Sequence, residues 1–362
     1  MQIKSRYFCA ILRENIFSFL LILFTLAAAV LIPACKGREG GKTEAKGASI
    51  AVFIPGVKAG SAIYQMLADG TKKAAEYFAA ANPALSPSVT VIEGGFNQAE
   101  WETQVTTLAA SGSYDLIVSS NPSLPEIAAK VSAKFPLQKF LLLDGELAGN
   151  PNVYTLRYNQ REQAYMAGYI AALAAIEAGG ASPGGAKKLG LVAAQEYPVM
   201  NNIILPGFAE GAKAVDTAFT VDFRVVGNWF DAAKAAELAA AMIHGGAKVL
   251  LPIAGGAGHG VIQAATEAGA KIVWFDTNGY AIRPRTVIGS AILLQDKAAY
   301  EKVTLYLKGN LPFGAAEIAG TADGFVNFLE DDPYYIDSVS EAIRSKQAAL
   351  VARLRSGELK LE

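Results

Sequence analysis

Short aliphatic runs alternate with longer alanine-rich stretches along most of this chain, and that alternation limits the folds open to it. The runs at 49–54, 88–93, 116–119, 139–143, 153–156, 188–193, 220–226, 249–253, 271–275 and 286–290 read as strands. The stretches at 62–80, 98–110, 124–134, 161–177, 203–215, 232–243, 261–267 and 295–307 read as helices, followed by a strand at 324–329 and a helix at 338–355. Several runs, VLLPI and KIVWF among them, show no polar alternation. Continuous apolar strands are those covered on both faces, as in a parallel sheet with helices above and below. Strand–helix alternation of this kind predicts doubly wound α/β units. The pattern runs twice, over 50–156 and again over 188–275, with the polar segment Tyr158-Asn159-Gln160-Arg161-Glu162 between the halves. Two α/β lobes are expected.

The amino terminus carries a different signal. Lys4, Arg6 and Arg13 precede an uncharged apolar run at 16–30, which closes on Leu31-Ile32-Pro33-Ala34-Cys35. A basic start, a short apolar core and a small residue at the break are the pattern of a secretory signal peptide. The run is shorter than the ~20 residues of a membrane span. A small residue directly before cysteine resembles a bacterial lipobox, which implies cleavage before Cys35 and lipidation of its thiol, with palmitate among the acyl groups. The expected division is a signal peptide at 1–34 and a lipidated cysteine with a glycine- and charge-rich tether at 35–48. The expected location is extracytoplasmic, on the periplasmic side, held to the membrane by that lipid. Cys9 would leave with the signal, so the mature fold would rest on its core and not on disulfides.

Charge and composition narrow the partners. The formal net charge is −1, without a concentrated basic face, so no nucleic-acid partner is expected. His244 and His259 are the only histidines, and no metal site is expected. Neither H-E-x-x-H nor a P-loop occurs, the one G-x-S-x-G match, at 180–184, lies in the glycine-rich stretch 179–186 that reads as a surface loop, and Gly256-Ala257-Gly258-His259-Gly260 lacks dinucleotide-loop spacing. A binder is expected, not an enzyme, and no cofactor.

In open α/β sheets a ligand sits beyond the carboxyl ends of the strands, so the segments trailing each strand carry the functional reading. In the first half these are Pro55-Gly56 leading to Tyr64, Gly94-Gly95-Phe96-Asn97 leading to Trp101, Asn121, and Asp144. In the second half they are Gln195-Glu196-Tyr197, Trp229-Phe230-Asp231, Gly255-Gly256, and Asp276. Glycines admit a ligand close to the backbone, carboxylates and amides orient polar groups, and aromatic rings stack on planar ones. Asn, Asp and Gly are also ordinary turn and cap residues, and Asp231 suits the N-cap of the helix that follows. Trp274 lies inside a strand pattern and reads as core.

Three segments carry a family resemblance: Tyr158-Asn159-Gln160-Arg161-Glu162-Gln163-Ala164-Tyr165-Met166-Ala167-Gly168, Ala254-Gly255-Gly256-Ala257-Gly258-His259-Gly260-Val261, and Phe275-Asp276. With them the chain resembles the basic-membrane-protein type of ABC-transporter substrate-binding lipoprotein, related to purine nucleoside receptors of spirochaetes. The resemblance implies a type I periplasmic-binding-protein fold, two Rossmann-like lobes joined by a three-segment hinge. Lobe 1 is then expected at 49–157 plus 281–312, and lobe 2 at 158–280 plus 313–362. It further implies that Asp276 holds sugar hydroxyls and that the partner is an ABC permease in the cytoplasmic membrane. Where the nucleoside receptors stack a phenylalanine this chain has Ile63, and Leu294-Gln295 stand where they carry a lysine. Added aromatics in the 93–101 and 227–231 segments look like the riboflavin-binding branch of the family.

Riboflavin is therefore the expected transported ligand, with a purine nucleoside as the alternative. A ligand sensor of the same fold is a further alternative, and an enzyme acting on sugars or nucleosides a remoter one. The expected ligand contacts are Tyr64, Phe96, Asn97, Trp101, Asn121, Asp144, Asn159, Trp229, Phe230, Gly255, Gly256, Asp276 and Gln295.

Overall fold

The computed structural model describes residues 47–180 and 187–361. The expected signal peptide, Cys35 and most of the tether lie outside the described residues. Among the described residues no helix is long and apolar enough to cross a membrane.

Lobe 1 begins with β1 (Ser49–Ile54), α1 (Ala62–Ala81), β2 (Ser88–Glu93), α2 (Trp101–Ser111), β3 (Leu116–Ser120), α3 (Leu124–Lys134), β4 (Lys139–Leu143) and β5 (Val153–Tyr158). Lobe 2 repeats the pattern with α4 (Gln160–Ala175), β6 (Lys188–Ala193), α5 (Leu205–Val215), β7 (Thr220–Val225), α6 (Ala232–His244), β8 (Val249–Ile253), α7 (Gly258–Ala268), β9 (Lys271–Asp276) and β10 (Val287–Leu293). The chain returns to lobe 1 for α8 (Gln295–Leu307) and β11 (Ala316–Ala319). It then goes back to lobe 2 for β12 (Val326–Phe328), α9 (Pro333–Ser338) and α10 (Glu341–Arg355).

The two sheets share one topology, β11-β5-β4-β3-β1-β2 and β12-β10-β9-β8-β6-β7. Every pairing is parallel except β12 on β10. Burial follows position in the sheet. β1 and β8 are interior and buried at every residue, whereas the edge strands β2 and β7 are largely half-exposed. Strands that read as unbroken apolar runs are thus the ones with helices on both faces. Pro252 stands in interior β8, where a residue without an N–H is unusual. The ladder from β8 to β9 stops at Leu250, short of that proline, while the ladder to β6 continues to Ile253.

The sheets correct the expected lobe boundaries. β10 lies in register on β9 and belongs to lobe 2, not to the 281–312 portion assigned to lobe 1. The 316–319 strand pairs with β5 and belongs to lobe 1, not lobe 2. Lys302 on α8 binds both carboxylate oxygens of Glu317 on β11, at 2.7 and 3.0 Å, which ties this late excursion together.

The chain crosses between lobes three times, and the crossings lie side by side. Asn159 N–H donates to the Ala319 carbonyl at 2.8 Å, and Leu294 N–H to that of Phe325 at 2.9 Å. Thr321 N–H donates to Glu162 Oε2 at 2.7 Å. In lobe 2, α4 packs on α5 at backbone distance. A Cβ on Gly168 would fall 2.0 Å from the Phe208 carbonyl oxygen.

Candidate ligand-binding cleft

In both sheets the strand order reverses between the first and third strands, β1/β3 and β6/β8. A crevice opens at such a switch point, beyond the carboxyl ends of the strands. Asp144 follows the fourth strand of lobe 1, and Asp276 ends the fourth strand of lobe 2. Both have left-handed backbones, with φ of 55° and 70°. Non-glycine residues seldom occupy that region, and aspartate tolerates it better than most.

The charge of Asp276 in lobe 2 acts on the Asp144 carboxyl of lobe 1. Burial pushes the Asp144 carboxyl up to about 8, helped by the charge of Asp276 and opposed by Arg157. The Arg157 guanidinium is itself held by Glu146 at 2.8 Å. Burial pushes Asp276 up to about 6, against a hydrogen bond from Gln163 Nε2 at 3.1 Å. Tyr197 of lobe 2 is raised by burial and then by the charges of both aspartates. The charge of Asp276 thus reaches both Asp144 and Tyr197, and both carboxyls stand at the carboxyl ends of their strands.

This pair gives a pH dependence with a definite sign. Unfolded aspartate titrates near ~3.9, so between about pH 4 and pH 8 the native protein retains protons that the unfolded chain has released. Stability therefore falls as pH rises through that window. Asp144→Asn should flatten the fall by on the order of 3 kcal/mol, a figure set below the full shift because Asp144 keeps part of its surface exposed. Melting temperatures at pH 5.5 and 8.5 check it. An equal change at both pH values would contradict the assignment.

Around the carboxyls, Tyr64 lies half-buried on α1 with its hydroxyl donating to the Pro55 carbonyl at 3.0 Å. Burial pushes that hydroxyl up to about 12, opposed by a hydrogen bond with Asn121 and assisted by the charge of Asp144. Asn121 Oδ1 accepts from Ser123 N–H at 2.9 Å, which sets its turn. Phe96 and Asn97 stand exposed on the loop after β2, and Asn97 donates to Glu100 at 2.7 Å. In lobe 2, Tyr197 and Trp229 lie with ring centroids 6.5 Å apart at 38°. The Trp229 carbonyl accepts from Ala257 N–H, and Gly255, at φ 55°, passes beneath the indole. A Cβ there would sit 3.3 Å from that ring. Gly256 is exposed beside it, and Phe230 is 72% exposed. Asp231 caps α6 by accepting from Lys234 N–H at 2.9 Å.

Three expected contacts are engaged elsewhere. Trp101 is buried in the lobe 1 core with Phe53 and Val105, and its indole N–H donates to the Gly95 carbonyl at 3.0 Å. It braces the loop that carries Phe96 and has no face free for a ligand. Asn159 caps α4 through Glu162 N–H and donates to the Leu361 carbonyl at 2.7 Å. Gln295 is fully buried, accepting from Ser120 and Tyr158 hydroxyls and donating to the Ile63 carbonyl. Both bonds to its oxygen and the bond from its nitrogen are made within lobe 1. Two residues outside the expected contacts bear on the carboxyls, Tyr197, raised by both charges, and Gln163, bonded to Asp276. Tyr197 follows a strand end, as the expected residues do. Gln163 lies within a helix, where spacing offers no signal.

Comparison with known proteins agrees with this architecture. The family described as "Bmp: ABC transporter substrate-binding protein PnrA-like" matches residues 48–360. The "ABC transporter nucleoside-binding protein BmpA" of Lactococcus lactis subsp. cremoris is 30% identical over 42% of this chain, a stretch spanning 40% of that protein's length. "Basic membrane protein D" of Borreliella burgdorferi is 24% identical over 82% of this chain and 80% of its own. Among solved structures, an ABC transporter solute-binding protein from Aeropyrum pernix superposes with a TM-score of 0.73 at 23% identity, covering 87% of this chain and 93% of that one. The chain belongs to the Bmp family of PnrA-like ABC transporter substrate-binding proteins.

Proposed function

We propose that this substrate-binding protein captures riboflavin by closure of its two lobes and delivers it to an ABC permease. The observation that carries the reading is a facing pair of cleft carboxyls, Asp144 and Asp276, flanked by aromatic residues on both lobes. A planar isoalloxazine ring fits between aromatic faces, and a ribityl chain supplies hydroxyls for the two carboxyls. Tyr197 and Trp229 form the stacking platform of lobe 2, and Phe96 offers the exposed ring of lobe 1. The three adjacent crossings act as the hinge, absorbing the rotation in a few residues. Anchoring through Cys35 completes the proposal and keeps the captured ligand near the membrane.

A purine nucleoside is the second reading, supported by the name of the Lactococcus relative and by the strand-end position of Asp276. It requires the same hydroxyl contacts with a smaller ring. Purified protein separates the two. Riboflavin carried through purification gives flavin absorption in the blue with quenched fluorescence, and added riboflavin is quenched in a saturable way. A colourless protein indifferent to riboflavin but binding guanosine or inosine would overturn the first reading in favour of the second.

A further inference from the structure

Gln163 has no exposed surface, yet it reaches the cleft from the first turn of α4. Its Nε2 donates to Asp276 Oδ1 at 3.1 Å and to the Ala291 carbonyl of β10 at 3.0 Å. Two acceptors on that nitrogen fix which way the amide faces. Its Oε1 is buried without a partner among the described residues. Asp276 thus has a neutral donor locked on one oxygen. Among the described residues Asp144 has no such donor, and Arg157, the cation acting on it, is committed to Glu146. The remaining groups that face the pair are tyrosines held neutral by burial: Tyr64 from α1, Tyr158 at the end of β5, and Tyr197 after β6. Asp296, at the start of α8, acts on Tyr158.

We infer that Gln163 is a positioning residue of the cleft: by bonding Asp276 and not Asp144, it makes Asp276 the charged acceptor and leaves Asp144 as the hydrogen-bond donor. A charge on Asp276 disfavours one on Asp144, so near neutral pH Asp276 ionises first, and the amide bonded to Asp276 favours that order. A ligand bridging the lobes then meets one acceptor and one donor of fixed identity, and its hydroxyls are gripped in one sense only. The inference rests on the reading that both carboxyls touch ligand, and it specifies how they do so.

The test is a carbon-13 NMR titration of the ligand-free full chain labelled at aspartate, with the two signals assigned by Asp144→Asn and Asp276→Asn. In the native protein Asp276 should ionise before Asp144. In Gln163→Met, which keeps the volume and removes the donor, the Asp276 midpoint should rise by roughly 1 pH unit or more and close the gap. Riboflavin titrations by fluorescence should show the acid limb of binding moving upward by the same amount, with affinity near pH 6.5 falling about tenfold. Should the methionine variant fail to fold, Gln163→Asn withdraws the amide and gives the same readout. An unmoved Asp276 midpoint, or an affinity loss equal at every pH, would overturn the inference. A midpoint that moves in a protein blind to riboflavin sustains the proton assignment and sinks the ligand reading alone.

Discussion

Asp276→Ala is expected to weaken riboflavin binding by about 100-fold or more while leaving the fold intact. A hydroxyl hydrogen-bonded to a carboxylate contributes ~1.5–3 kcal/mol, each 1.4 kcal/mol is a factor of ten, and a polyol places two hydroxyls within reach of one carboxylate. The substitution also removes a buried acid whose only side-chain donor is an amide, so the melting temperature at pH 8 should hold or rise. Fluorescence titration and a thermal melt on the same sample measure both. Asp276→Asn provides the control, because asparagine keeps the positive φ at little cost and retains one acceptor. Its loss should be about tenfold. If alanine lowers affinity and stability together, Asp276 is a structural residue and the ligand contact is lost as an explanation.

Gly168→Ala should destabilise the protein by roughly 2–4 kcal/mol, against the direction that helix propensity gives. In an exposed helix, glycine to alanine stabilises by ~1 kcal/mol through chain entropy. Here the new Cβ would lie 2.0 Å from the Phe208 carbonyl oxygen and 2.9 Å from its carbon. Neither is the end of a flexible side chain, so α4 and α5 must separate. Gly211 makes the reciprocal approach, 2.1 Å from the Tyr165 carbonyl oxygen. The fall in melting temperature should be roughly 3–6 °C. A rise would show that the two helices part without cost.

Much of the fold was legible because its signals are local. Strands at 49–54, 88–93, 139–143, 188–193 and 249–253 have the boundaries that their apolar runs imply. What escaped was set by distant partners. The AEIA segment of β11 has little strand character of its own and becomes a strand by pairing with β5. The helix expected from 261 begins at Gly258, since glycines that resemble a loop serve there as a close contact; a Cβ on Gly260 would meet the Ala232 carbonyl at 1.8 Å. The return of the chain between lobes at Leu294 carries no marker in composition, so β10 was assigned to the wrong sheet.

The site divides along the same line. Strand-end position picked out Asp144, Asp276, Trp229 and the Gly255-Gly256 loop, each of which follows the carboxyl end of a strand. The identity of a side chain does not say which way it turns. Trp101 folds inward onto Phe53, Gln295 is consumed by Ser120 and Tyr158, and Asn159 by its own helix. Gln163 shows the converse, a helical residue whose amide is tied to Ala291 on β10 and to Asp276.

The sixth strand of lobe 1 comes from residues that follow five of the six strands of lobe 2 in the chain. During synthesis, or on emergence from a translocation pore, β5 has an unpaired edge until residue 319 arrives. An open edge of that kind is a template for wrong pairing. The amino-terminal half is therefore no independent folding unit, and a fragment ending near residue 158 should aggregate where the whole chain does not. Maturation of the two halves is concerted, finishing only when nearly the whole polypeptide is free.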